Sequence, residues 1–187
     1  MSSKSFTTFQ LNEIDFFLVS EDDKIIKIGM NEELPDEHMM VYKTLKDKTF
    51  KICYQQLYEF FFKGRKNFDI DLKLIGTDFQ KKVWKSLSKI PYGATVSYQE
   101  IAKKIKNPKA VRAVGLANKN NPLPIVIPCH RVIGKNGKLV GYGGGLELKA
   151  KLLNLEKENI KVKKKGVTQK CHSELVSESK HLNFERK

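Results

Sequence analysis

Apolar positions in this chain fall into short runs whose period changes along its length. Phe16–Val19 and Lys24–Ile28 are brief and rich in β-branched and aromatic residues, and the polar Ser20-Glu21-Asp22-Asp23 between them predicts a β-hairpin. Residues 6–29 as a whole read as strand segments, while residues 30–50 are polar and show no period. Leu57, Phe60 and Phe61 then recur at helical spacing within Cys53–Lys63, and Gly64 supplies the stop. Phe68–Leu74 alternates strictly between apolar and charged residues, the pattern of a half-exposed strand. A small antiparallel sheet with a helix, an α/β unit over residues 1–75, is the expected outcome, with a boundary near residue 76.

Beyond that boundary the period becomes helical. Thr77 and Gln80 form a capping-box pattern in front of Phe79, Val83, Trp84 and Leu87, which share one helix face, and Pro91-Tyr92-Gly93 ends the segment. Ser97 and Glu100 repeat the box before Ile101, Ala102 and Ile105. Asn107 as N-cap and Pro108 at the first helical position predict a third helix carrying Val111 and Val114, slimmed by Ala110, Ala113 and Ala117. Two helices joined by a three- or four-residue turn make a helix-turn-helix. Asn136-Gly137 between apolar flanks predicts a tight reversal, and Gly143-Gly144-Gly145 a loop nearly free of side chains. A last amphipathic helix turns Leu148, Leu152 and Leu155 inward and brings Glu156 to its C-terminal end, where a carboxylate needs a partner; His130 is the candidate. Residues 161–187 change to a Lys-rich, then Ser/Glu-rich composition without a period, the expectation for a disordered basic tail.

Charge sharpens this division. Lys and Arg number 11 against 13 Asp and Glu in residues 1–76, 16 against 5 in residues 77–160, and 8 against 3 in residues 161–187, within a net charge of +14. The excess therefore sits on the helical segment, as it would in a domain that binds a polyanion. Lys103, Lys104, Lys106, Lys109, Arg112 and Lys119 fall in or beside the predicted helix pair, with Glu100 the only acid between residues 97 and 120. No apolar run is long enough for a membrane span, so a cytoplasmic protein is expected. Three cysteines, Cys53, Cys129 and Cys171, lack zinc or redox-pair spacing, so reduced thiols, no metal and no cofactor are expected.

One pentapeptide carries chemistry. In Pro128-Cys129-His130-Arg131-Val132 the apolar Ile125-Val126-Ile127 leads the chain inward, the proline breaks any ladder, and a nucleophilic thiol stands beside a titratable base. A second pair, Cys171-His172, has no apolar lead-in, proline or downstream glycines, and is assigned no role.

Taken together, Gly76–Gln80, Val83-Trp84, Ile90–Gly93, Ser97-Tyr98, Asn107–Gly115, Asn121-Pro122, Ile127–Ile133 and Leu152–Glu156 resemble, in order and spacing, the O6-alkylguanine-DNA alkyltransferases. The resemblance implies a ribonuclease H-like first unit and a mainly α, winged-helix-like second unit. It implies single-turnover transfer of an alkyl group from O6-alkylguanine in double-stranded DNA to Cys129 after base flipping, leaving O4-alkylthymine open as a second substrate. On this pattern His130 and Glu156 form a relay to the thiol, Tyr98 assists rotation and donates a proton, and Arg112 fills the vacated place. Lys109, Ala113 and Lys119 would face DNA. Asn121, Val132, Tyr142, Gly143, Gly144 and Lys149 would line the base pocket, with Gly143 where the family often has Ser. No metal or obligate protein partner is implied, and a monomer is expected.

Overall fold

The computed structural model describes residues 4–34 and 40–164. Strands β1 (Lys4–Leu11), β2 (Ile14–Glu21) and β3 (Lys24–Met30) form an antiparallel meander, and the short β4 (Val41–Tyr42) adds to it in the order β3-β2-β1-β4. β4 runs parallel to β1, so the expected antiparallel sheet is in fact mixed. The two hairpin turns use adjacent left-handed residues, Asn12-Glu13 (φ 51° and 60°) and Asp22-Asp23 (φ 52° and 57°). Asn and Asp tolerate this region because their short polar side chains bond locally. The turn at Asp22-Asp23 is narrower than the four-residue Ser20–Asp23 expected, because β2 keeps pairing through Glu21 to Lys24.

Helix α1 (Lys48–Lys63) covers one face of the sheet with Phe50, Cys53, Leu57, Phe60 and Phe61. Asp47 caps its start by accepting from the Thr49 and Phe50 N–H groups, and Gly64 ends it in the left-handed conformation (φ 63°). The alternating Phe68–Leu74 segment does not become a full strand. It is tied to β3 by one parallel bridge, Ile25 to Leu72, with Ile25 N–H donating to Asp71 O and Lys73 N–H to Ile25 O. Its alternation is satisfied by burial on one side alone.

The helical half contains α2 (Asp78–Leu87), α3 (Tyr98–Lys104), α4 (Val111–Lys119) and α5 (Gly145–Lys164). Both capping boxes form: Thr77 with Gln80 at α2, Ser97 with Glu100 at α3. Helix α4, however, starts three residues later than Asn107-Pro108 indicated, and Ala110 caps it without a side-chain bond. Lys106 takes a left-handed φ of 60°, and the Asn107 N–H turns back to Ala102 O, so residues 105–110 form the connecting turn. That turn exceeds the expected three or four residues. Trp84 Nε1 donates to Ala117 O at 2.8 Å, locking α2 to α4.

Two further corrections bear on the site. Ile125–Ile127 is a turn and not an extended lead-in: Ile125, buried, adopts φ 71°, costly for a β-branched residue. Helix α5 runs unbroken to Lys164, so Glu156 lies in its middle and not at its C-terminal end, and the helix outlasts the boundary expected at residue 160. The remainder of the expected tail, with Cys171-His172, lies outside the described residues.

One core spans both halves. Phe16, Leu18, Phe60 and Phe61 from the sheet half and Trp84, Ile101, Val114, Val132 and Leu152 from the helical half belong to a single cluster of buried side chains. Ile28 N–H also donates to Pro122 O at 2.8 Å across the seam. Among the described residues no helix is long and apolar enough to cross a membrane.

Candidate active site

Two short parallel strands set the site's frame. β5 (Val96–Ser97) pairs with β6 (Val132–Ile133), which places Tyr98 at the start of α3 beside the exit of the Cys129–Arg131 3-10 turn. The turn itself is fixed by Cys129 N–H donating to Ile127 O and Arg131 N–H donating to Pro128 O. Cys129 is only 4% exposed. Burial raises its thiol pKa, against the opposing effects of the Asn121 side chain, the Lys149 charge and the backbone N–H groups of Cys129 and His130. At rest the sulfur is therefore a protonated thiol that needs a base.

The next residue in the chain is an imidazole. His130 is fully buried, and its Nε2 lies 2.9 Å from Glu156 Oε1. Arg131 donates from Nε to both Glu156 oxygens (3.0 and 3.1 Å) and from Nη2 to Oε1 (2.8 Å), while its Nη1 donates to Ile90 O. Gly93 N–H donates to Glu156 Oε2 at 2.7 Å. Burial opposes the carboxylate charge, but the His130 and Arg131 hydrogen bonds outweigh it and hold Glu156 below the usual carboxylate range. An ionised Glu156 can only accept, so the His130 proton is assigned to Nε2. Nδ1 is then a lone-pair acceptor, buried and without a protein partner among the described residues. Burial also lowers the His130 pKa, more than Glu156 raises it, so the imidazole is neutral and free to take a proton.

The loop after β6 closes the site from the other side. Lys149, buried on α5, donates from Nζ to Val140 O (2.8 Å) and Gly141 O (3.3 Å), and Tyr98 Oη donates to the same two carbonyls at 3.2 Å each. Burial lowers the Lys149 pKa to about 8, with the Cys129 charge acting the other way. The Tyr98 pKa is raised by burial and by Cys129, so its hydroxyl keeps its proton. Tyr142 points a buried hydroxyl inward with no partner among the described residues. A Cβ at Gly143 would meet only Lys119 O at 3.8 Å, an ordinary contact, so no steric demand excludes Ser there; at Gly144 it would come within 2.8 Å of Leu148 Cδ2.

The remaining expected residues separate into two groups. Asn121, Val132 and Lys149 join the cluster: Asn121 Nδ2 donates to Ile127 O and its Oδ1 accepts from Leu123 N–H, pinning the strained turn, and Val132 N–H donates to Cys129 O. Lys109, Arg112, Ala113 and Lys119 lie instead on the exposed surface of α4 and the turn before it. Sequence reasoning missed Arg131, Gly93 and Asn118, whose Nδ2 reaches Cys129 O at 3.4 Å. An arginine inside an apolar run needs a buried carboxylate, and that signal was available; the Gly93 and Asn118 contacts arise from loops meeting in three dimensions and leave no local pattern.

Comparisons with known proteins agree on one family. Residues 78–158 match the profile described as 6-O-methylguanine DNA methyltransferase, DNA binding domain. The constitutive methylated-DNA–protein-cysteine methyltransferase of Bacillus subtilis is 44% identical over 162 residues, spanning 84% of this chain and 98% of that protein. The Methanosarcina mazei enzyme of the same description is 60% identical over 104 residues, which cover 55% of this chain and 66% of that protein. Among solved structures, Mycobacterium tuberculosis OGT in complex with DNA superposes with a TM-score of 0.76 at 42% identity, covering 83% of this chain and 94% of that one.

Proposed function

The chain belongs to the methylated-DNA–protein-cysteine methyltransferase family, and from that premise we propose that Cys129 is the residue that accepts the alkyl group, with His130 and Glu156 as its relay. The activity is repair of O6-methylguanine in DNA by methyl transfer to a cysteine. The observation that carries the assignment to Cys129 is its place in the 3-10 turn, one residue before a buried imidazole whose Nε2 is committed to Glu156 and whose Nδ1 is free to accept.

The reaction follows from these atoms. His130 Nδ1 takes the Cys129 proton, directly or through one water, and Glu156, held ionised by Arg131, steadies the imidazolium that results. Lys149 favours the thiolate from the side of the pocket. The sulfur then attacks the methyl carbon: the S–C bond forms, the C–O6 bond breaks, and its electron pair stays on O6, which takes a proton from Tyr98 or the relay. Guanine leaves neutral. The thioether has no acyl carbon for water to attack, so each molecule acts once.

A guanine O6 inside the stack cannot reach the sulfur of a residue that is 4% exposed, so the base has to be flipped out. Helix α4 supports this role: it is slim, basic and outward-facing, suited to enter the minor groove with Arg112 taking the place of the departed base. The partner is double-stranded DNA carrying an alkylated base, met by a monomer. Incubation with a duplex bearing one O6-methylguanine should add about 14 Da to the peptide containing Cys129, saturating at one per protein. Cys129→Ala should bind the duplex and gain no mass. Modification on another residue, or many turnovers per copy, would overturn the assignment.

A further inference from the structure

Leu116 is among the most exposed large apolar side chains of the described residues, at 60%. A lone exposed leucine is ordinary; its position here is not. At about 100° per residue, Arg112, Leu116 and Lys119 lie within about 60° of one another on α4, one turn apart in sequence. The opposite face of the helix is occupied by the buried Val114, Ala117 and Asn118, so the Leu116 stripe points away from the fold. Its neighbours Ala113 and Gly115 are small, and a Cβ at Gly115 would touch only the Tyr98 ring, at 3.9 Å. Ala113 is exposed, so on its side a partner can approach the helix backbone beside Leu116; on the other side the Tyr98 ring lies beside Gly115. The Leu116 stripe carries the exposed cations Arg112 and Lys119, and Lys103, Lys104, Lys106 and Lys109 are exposed at the end of α3 and in the turn that leads into α4. An apolar side chain flanked along its helix by exposed cations is complementary to a polyanion whose interior edge is apolar, which describes a DNA groove with phosphates at its rims and sugar and base edges inside.

We propose that Leu116 is a second insertion residue of this helix: an apolar wedge that packs against sugar and base edges in the minor groove one turn behind Arg112, and holds open the step from which the base has left. The proposal rests on the reading of α4 as the groove-entering helix. It divides the labour on one stripe. Lys119 supplies phosphate attraction that salt weakens, Arg112 fills the hole, and Leu116 adds a contact indifferent to salt.

The test uses full-length protein with Leu116→Ala, which suits a helix, and Leu116→Met, which restores bulk. Two quantities are read: binding to a fluorescent duplex carrying one O6-methylguanine at several salt concentrations, and the rate of mass gain at Cys129 with that duplex and with free O6-methylguanine. Leu116→Ala should weaken duplex binding and slow duplex transfer about five- to tenfold. Its salt slope and its reaction with the free base should match the parent, and Leu116→Met should recover most of the loss. Unchanged duplex binding in Leu116→Ala overturns the proposal, as does a parallel fall with the free base, which would make Leu116 a structural residue. If the parent gains no mass while Leu116→Ala still loses duplex affinity, the methyl-transfer reading at Cys129 falls and the groove contact stands.

Discussion

Around Glu156, groups from two other segments converge on one carboxylate: the buried His130 ring and Arg131 guanidinium from one turn and the half-buried Gly93 N–H from another, all within 3.1 Å. Along the outer face of α4, by contrast, Arg112 and Lys119 stand exposed, and among the described residues no hydrogen bond or ion pair restrains either. The first region is preorganised and costs the fold heavily if one member is removed; the second carries little structural duty and, on the proposed function, takes its partners from DNA. Substitutions in the cluster should therefore harm stability and the reaction with every substrate, whereas substitutions on α4 should harm only reactions that require a duplex.

Glu156→Gln tests the cluster most severely. It leaves the Arg131 guanidinium buried without its counter-charge, at a cost of about 3–5 kcal/mol, or a fall in Tm of roughly 10 °C. Transfer from free base and from duplex should both drop by about a hundredfold or more, because the imidazolium loses its stabiliser. Calorimetry and single-turnover mass measurements check both, and a loss confined to duplex substrate would erase the contrast between the two regions.

Arg112→Ala should slow duplex repair by about ten- to a hundredfold, the scale of the unstacking cost that the side chain offsets, while Tm and the reaction with free O6-methylguanine stay at parent values. Equal losses on both substrates would remove Arg112 from the groove.

Acid distinguishes the regions without mutation. His130 has a folded pKa below its ordinary 6.5, since burial disfavours its charge. Above pH 6.5 both folded and unfolded chains carry a neutral ring. As pH falls below 6.5 the unfolded chain takes up the proton first, so stability falls, by up to about 1.4 kcal/mol per pH unit until the folded pKa is reached. Glu156, also lowered, adds a second loss below pH 4.5. Tm measured from pH 7 to 5 should decline and should be flatter in His130→Gln, whereas Arg112→Ala should follow the parent curve.

The smallest expected effect is at a helix start remote from both regions. Thr77→Ala removes the side-chain half of the α2 capping box, costing about 1 kcal/mol, with transfer unchanged after correction for folded protein. A change in transfer rate would mean that the lock from Trp84 to Ala117 carries strain into α4.

Local rules in the sequence were read correctly where local contacts decide the outcome. Thr77-Gln80 and Ser97-Glu100 formed their boxes because both partners sit within one turn. Asn107-Pro108 obeys the same rule on paper, but Lys106 goes left-handed and Gln99 Nε2 donates to Pro108 O, so the tertiary turn overrides the cap and delays α4. A helix-end position for Glu156 predicts its pairing with His130, yet the pairing exists for another reason: α5 crosses the Cys129–Arg131 turn at mid-length. The exposure of Lys109, Arg112, Ala113 and Lys119 agrees with the DNA-facing places the family resemblance implies for them, whereas the convergence of Tyr98 and Lys149 on the Val140 and Gly141 carbonyls leaves no local pattern, since it brings Tyr98 to a loop more than 40 residues further along the chain.

The Phe60 ring meets both Tyr92 and His130 in edge-to-face fashion, with ring centroids 6.0 and 6.5 Å apart respectively. An aromatic residue from the amino-terminal helix is thus one wall of the chamber that keeps the imidazole dry. A fragment trimmed to residues 78–158 would keep Cys129, His130 and Glu156 yet admit solvent where that ring had been, so the smallest self-sufficient form of this protein extends well beyond that stretch.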